Sequence, residues 1–220
     1  MFEDCFEKHS FEDLNNGDLN ILYNAIQFYF NKYGNSNTTF IDVGTNAGSF
    51  IKALSYFNIK DNIHCFEPHP IISQKTKEFY PYVNMNNYCL GNKDGYIDIF
   101  IPQWSIGLSS IIERPIFKKL EETQKITKIN VKCQKLDTYC DLNNITNIGF
   151  LKIDVEGAEK MIFEGSDILL KNNKILCGIF EVGETLKDAN TNEDEIINIL
   201  EKYGYTINKN FHTNDYLFYL

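Results

Sequence analysis

Residues 40–50 read F-I-D-V-G-T-N-A-G-S-F. The stretch begins as a short apolar run, Phe40, Ile41 and Val43, interrupted only by Asp42. It breaks at Gly44 and Gly48, then resumes an apolar period through Phe50, Ile51 and Leu54. Those are the marks of a buried strand, a tight turn and a helix. Such a turn brings bare backbone N–H groups and a helix N-terminus up to a ligand. In an open α/β sheet the ligand sits beyond the carboxyl ends of the strands. The spacing narrows the choice of ligand. Neither the G-x-G-x-x-G of dinucleotide sites nor the G-x-x-x-x-G-K-[ST] of phosphate loops is present. D-x-G-x-x-x-G instead sets an acid at the strand end, which suits an ammonium-bearing ligand better than a pyrophosphate.

About twenty residues on, 62–67 read N-I-H-C-F-E, and Pro68 and Pro70 follow. An acid closing the second strand is where Rossmann-like folds hold ribose hydroxyls, which makes Glu67 a nucleoside ligand by position. A third signal, F-L-K-I-D-V-E-G-A-E at 150–159, is the most specific. With D-V-G-T-N-A-G and F-E-P-H-P, and with K-L-D-T-Y at 135–139 and E-G-S at 164–166, it resembles the FkbM family of S-adenosylmethionine-dependent methyltransferases. The resemblance spans roughly residues 38–183. It implies a Rossmann-like class I methyltransferase fold, with a mostly parallel central sheet, a reversed strand near the C-terminus and helices on both faces. It also implies S-adenosylmethionine as cofactor, with Asp42, Gly44, Thr45, Asn46, Gly48, Glu67 and Pro68 around it. O-methylation of a sugar, glycan or natural-product hydroxyl follows from the same resemblance.

Composition bounds the reading. The chain has 220 residues, 43% of them hydrophobic, enough for one α/β domain with a sizeable core. A net charge of −9 disfavours a nucleic-acid partner. Arg114 is the only arginine, so a polyphosphate site would be oddly equipped. The six cysteines have neither C-x-x-C nor zinc spacing, and Cys65, Cys89 and Cys177 lie in apolar runs as core thiols. The N-terminus lacks the pattern of a signal peptide, and no run is long enough for a membrane span. The expectation is therefore a cytoplasmic protein with free thiols and no membrane partner.

Along the chain, 1–37 read as an N-terminal extension, with a helix over 19–33 capped by Asp18 and a loop at 34–38; 38–220 read as the methyltransferase domain. Strands are expected at 39–43, 62–67, 83–90, 96–101, 130–136, 148–155 and 175–182, with a terminal pair at 205–208 and 215–219. Helices are expected at 47–57, at 71–80 with a face through Ile72, Lys75 and Phe79, after Asp137 as a cap, after Gly157, and after a capping box at Thr191 and Asp194. Residues 102–129, which include Trp104, read either as an excursion over the strand ends or as a solvated connector.

Methyl transfer to a hydroxyl needs in-line alignment and a group to take the proton. Lys152, Asp154 and Glu156 alternate and would share one face of a regular strand. All three are candidates for the catalytic group, Asp154 first and Glu156 second; the structural alternative is that Glu156 caps the following helix and Lys152 neutralises both acids. Glu181 and His69 are secondary candidates. The carboxylates at the strand ends could also hold a divalent metal, but no D-x-D or His-rich cluster requires one. Two other readings remain: a nucleoside-binding subunit without catalysis, and a nicotinamide oxidoreductase that the missing third glycine disfavours.

Overall fold

The computed structural model describes residues 17–34, 38–120 and 125–220. In chain order the elements are α1 (Gly17–Tyr33), β1 (Thr39–Val43), α2 (Ser49–Ser55), β2 (Ile63–Phe66), α3 (Pro70–Phe79), β3 (Asn84–Asn86), β4 (Cys89–Leu90) and β5 (Gly95–Pro102). A 3-10 turn (Ile106–Leu108), α4 (Pro115–Leu120), β6 (Ile126–Gln134), α5 (Leu136–Leu142) and β7 (Ile148–Ile153) follow. The chain continues with α6 (Glu159–Glu164), α7 (Asp167–Lys171), β8 (Ile175–Glu181), α8 (Glu184–Asp188), α9 (Glu193–Lys202), β9 (Thr206–Asn208) and β10 (Asp215–Tyr219).

Seven strands form the central sheet in the order β3-β2-β1-β7-β8-β10-β9. The pairs β1–β2, β1–β7, β2–β3 and β7–β8 are parallel, and β10 runs antiparallel to both β8 and β9. This is the expected mostly parallel, Rossmann-like sheet with one reversed strand. Its strands read as nearly continuous apolar runs because both faces are covered. Successive side chains alternate between two cores: Ile41, Val43, Leu151 and Ile153 enter one, Phe40 and Phe150 the other. The second core also takes Ala25, Ile26 and Tyr29 of α1, all fully buried. At the end of α1 the Tyr33 hydroxyl donates to the carbonyls of Leu176 and Leu220. None of the described helices is long and apolar enough to cross a membrane.

Several local expectations need correction. The strand expected over 83–90 is two strands: β3 extends the main sheet, whereas β4 joins β5 and β6 in a separate three-stranded sheet. Apolar pattern cannot signal a chain leaving one sheet for another. Asp18 lies inside the first turn of α1 rather than at its cap. Asp137 does not cap α5; its carboxylate accepts the Ile168 and Leu169 amides and so caps the start of α7. The capping box of α9 sits one residue later, where Asn192 accepts the Glu195 amide. On α3 the buried face is Ile72, Ser73 and Thr76, and Phe79 is exposed. Thr76 donates to the Asn46 carbonyl, and that bond turns its face inward. Cys65, Cys89, Cys133, Cys140 and Cys177 are buried free thiols; Cys5 and the rest of 1–16 lie outside the described residues, as do 35–37 of the expected loop and 121–124 of the 102–129 excursion.

Candidate active site

Because β1, β2, β7 and β8 are parallel, their carboxyl ends meet at one edge of the sheet. A cavity of about 470 Å³ opens there. It is walled by Val43–Ala47 after β1, by Glu67 and Pro68 after β2, by Lys152–Glu156 at and after β7, and by Glu181 at the end of β8.

The β1 side is built locally. The Gly44 and Thr45 amides both donate to the Phe66 carbonyl, so the turn leans onto β2. Gly44 is at φ 79°, and a Cβ there would sit 1.8 Å from the Asp154 carbonyl oxygen. Its bareness is thus demanded by the close approach of β7 as well as by any ligand. Gly48 is left-handed at φ 88° and starts α2; a Cβ would strike the Tyr80 ring. Gly48 does not line the cavity. Glu67 accepts the Asn46 amide at 2.9 Å on one oxygen and the His69 amide at 2.8 Å on the other. Burial pushes its carboxyl up to about 7, against the pull of those two amides. His69 is buried, and its ring caps α3 by accepting the Ile72 amide.

Asp42 stands opposite Lys152 in the β1–β7 register and is fully buried behind the cavity wall rather than on it. The Lys152 ammonium lies 3.2 Å from Asp42 and 3.4 Å from Asp154, and donates to the Gly44 carbonyl. Burial works to lower the Lys152 pKa, but Asp42 and Asp154 hold it above its ordinary value. Lys152 is therefore a buried cation fixed between the two motifs. The deeply buried acid of the pair is Asp42; the Asp154 side chain is about half exposed.

The β7 side is assembled from distant elements. The expected regular face of three alternating residues does not form, because β7 ends at Ile153 and Glu156 takes φ 56°. Asp154, Glu156 and Glu181 nevertheless bring carboxylate oxygens within 4.8 Å of one another. That spacing would admit a divalent cation, as carboxylates at strand ends can. Glu156 does not cap α6; its carboxylate pairs with Arg114 at 3.0 Å. The buried Glu159 accepts the Val155 and Gly157 amides instead. Burial and then repulsion from Asp154, Glu156, Glu159 and Asp215 push Glu181 up to about 8.

A family model described as the methyltransferase FkbM domain matches residues 42–207. The chain belongs to the FkbM methyltransferase family. A curated relative, the 2-O-methyltransferase NoeI of Sinorhizobium fredii, is 27% identical over 148 residues, 62% of this chain. The aligned region spans 60% of the length of NoeI. A solved S-adenosylmethionine-dependent methyltransferase of Leishmania major superposes with a TM-score of 0.48 at 8% identity, covering 99% of this chain and 80% of that one.

FkbM membership makes S-adenosylmethionine the cofactor, and the donor set fits it. The Glu67 carboxylate lines the cavity, is held still by two amides, and keeps a spare lone pair on each oxygen for a ribose hydroxyl. Thr45, Asn46, Pro68, Lys152, Asp154 and Glu156 join it on the wall of this FkbM cavity.

The wall also contains residues that sequence reading passed over. His212, Asn214 and Asp215 arrive with β10, and Asp18 with the first turn of α1. A reversed strand begins where parallel strands end, so Asp215 pairs in register with Glu181. His212 lies 2.9 Å from Asp215. The excursion after β5 contributes Ser105 and 107–111, and so lies over the strand ends rather than away in solvent.

Proposed function

We propose that the chain is an S-adenosylmethionine-dependent O-methyltransferase whose acceptor is a hydroxyl on a sugar, glycan or small natural product. The observation that carries this reading is the carboxylate trio Asp154, Glu156 and Glu181, which shares one cavity with Glu67 and the Gly44–Ala47 turn. When bound, the cofactor supplies a methyl group already activated by its sulfonium. The protein's part is to align, to exclude water and to receive a proton.

Glu67 holds the ribose, and the amides after β1 meet the amino-acid end. Lys152 pairs with Asp154 and orients it, and Asp42 keeps Lys152 in place. Asp154 accepts a hydrogen bond from the acceptor hydroxyl and takes its proton as the oxygen gains the methyl. Glu181 stands beside it to share that proton; its raised pKa keeps it exchangeable near neutrality. The 2-O-methyltransferase activity in the printed name of NoeI supports oxygen as the accepting atom.

The test is transfer of label from methyl-labelled S-adenosylmethionine to a panel of sugars and glycan extracts. The expected product is an alkali-stable methyl ether on a hydroxyl. Label on nitrogen or carbon would refute O-methylation. Binding of S-adenosylhomocysteine with no labelled acceptor in any extract would favour a non-catalytic nucleoside-binding subunit.

A further inference from the structure

The one arginine of the chain has no part in the scheme above, yet its position is specific. Arg114 lies in the excursion, just after its stretch 105–111 that roofs the cavity. That roof is a loop closed at its neck by two backbone hydrogen bonds between Phe100 and Ser110, at 2.9 and 3.2 Å. It rests on the floor of the cavity at three points. A Cβ on Gly107 would stand 3.4 Å from the Asn46 side-chain amide nitrogen, so the tip meets the β1 turn. The Ser110 hydroxyl donates to the Glu156 carbonyl at 2.8 Å. Arg114 donates through one terminal nitrogen to the Glu156 carboxylate and through Nε to Asp188 of α8, both at 3.0 Å. The Arg114 side chain is only 12% exposed, and its guanidinium lies over the buried Phe117 ring.

We infer that Arg114 is a positioning residue that fastens the cavity roof to the Glu156 turn and to α8, holding Glu156 in place at the acceptor end. The inference rests on the proposed function only where a cofactor analogue serves as probe. The choice of arginine among the 21 basic residues has a physical reason. Two acids on separate elements are met by two diverging donors of one rigid planar cation, which fixes their relative geometry more tightly than a flexible ammonium does. Both pairs are largely shielded, so solvent screens them less than surface pairs. Glu156 sits in the left-handed region at φ 56°, a conformation that needs outside support in a non-glycine residue. Ser110 supports its carbonyl and Arg114 its carboxylate. With its charge answered by Arg114, Glu156 forms a wall beside Asp154 and Glu181.

Hydrogen exchange on the ligand-free protein tests the fastening directly, comparing wild type with Arg114→Gln, Arg114→Lys and Asp188→Asn. Exchange of amides 103–112 should quicken on the order of tenfold in Arg114→Gln, as one tenfold step is ~1.4 kcal/mol and a charge-assisted bond contributes about that or more. Arg114→Lys and Asp188→Asn should each show part of the effect, and amides of β1, β7 and β8 should keep their protection. Stopped-flow binding of S-adenosylhomocysteine gives the second readout: association and dissociation should both accelerate in Arg114→Gln, with the Kd moved less than either rate. A general loss of protection with a fall in Tm would reduce Arg114 to a stabilising contact and overturn the inference, as would unchanged exchange in the roof. If wild type does not bind the analogue, the cofactor reading falls, while the exchange result still decides the role of Arg114.

Discussion

On the β1–β2 side of the cavity, Glu67 receives two backbone amides from residues within about one turn of its own motif or the preceding one. On the β7–β8 side, Asp154, Glu156, Glu181 and Asp215 come from three separate strands or strand ends, and burial, with repulsion from the neighbouring acids added, raises Glu181 to about 8. The first side is a rigid cradle whose polar groups are answered by backbone. The second is a set of carboxylates held close against their own repulsion, with Lys152 and Arg114 as the nearest cations. A cradle suits a ligand part that must only be gripped. Crowded carboxylates suit a part where a proton has to move. Lys152 joins the two sides, because one ammonium touches Asp42, the Gly44 carbonyl and Asp154.

The largest expected effect comes from breaking the reactive side while sparing the cradle. Asp154→Asn keeps the shape and removes the charge; turnover should fall by on the order of 10²–10⁴, while calorimetry should find S-adenosylhomocysteine affinity nearly unchanged. A variant that loses affinity yet keeps turnover at saturating cofactor would move Asp154 to the cradle, and the base would then be sought at Glu181.

The converse substitution is expected to be milder and to act on binding. Glu67→Ala removes the carboxylate proposed to hold the ribose and leaves the Asn46 and His69 amides without their acceptor. Affinity for S-adenosylhomocysteine should weaken by ~1.5–3 kcal/mol, read as the ratio of dissociation constants. An unaltered constant would mean that Glu67 serves the loop alone.

The smallest effect sharpens the electrostatic contrast. The Glu181 carboxyl is raised in the folded protein to about 8 from an ordinary 4.5. A raised carboxylate lends stability that is complete below the unfolded value and is lost as pH climbs through the folded one. The wild-type Tm should therefore decline between about pH 4.5 and 8, with Glu67 and Glu159, each raised to about 7, adding to the slope. In Glu181→Gln the decline should be shallower, and the variant should be the more stable protein at pH 8.5 but not at pH 4.5. Parallel melting curves across that range would show that burial and the neighbouring acids do not raise the Glu181 carboxyl.

Much of the β1–β2 side of the cavity was legible from sequence because it is local. β1 runs from Thr39 to Val43 as its apolar run predicts, and Glu67 closes β2 about twenty residues later. Periodicity also identified β5, β8 and the terminal strand pair, since alternation and apolar runs are properties of consecutive residues. What the chain order could not carry was anything that depends on which strands become neighbours. The opposition of Asp42 and Lys152 across 110 positions exists only because β1 and β7 lie side by side. Asp215 reaches the site only because β10 is reversed, and Glu159, not Glu156, answers the turn amides only because Glu156 adopts φ 56°. Arg114 stood out in the sequence as a lone arginine with no assignable partner; its two acids are 42 and 74 residues away. Residue type and spacing determine strand, turn, helix and the chemistry of the motifs. Charge pairing and pKa depend on distances of a few ångströms between remote residues, and those distances are set by the packing of the sheet.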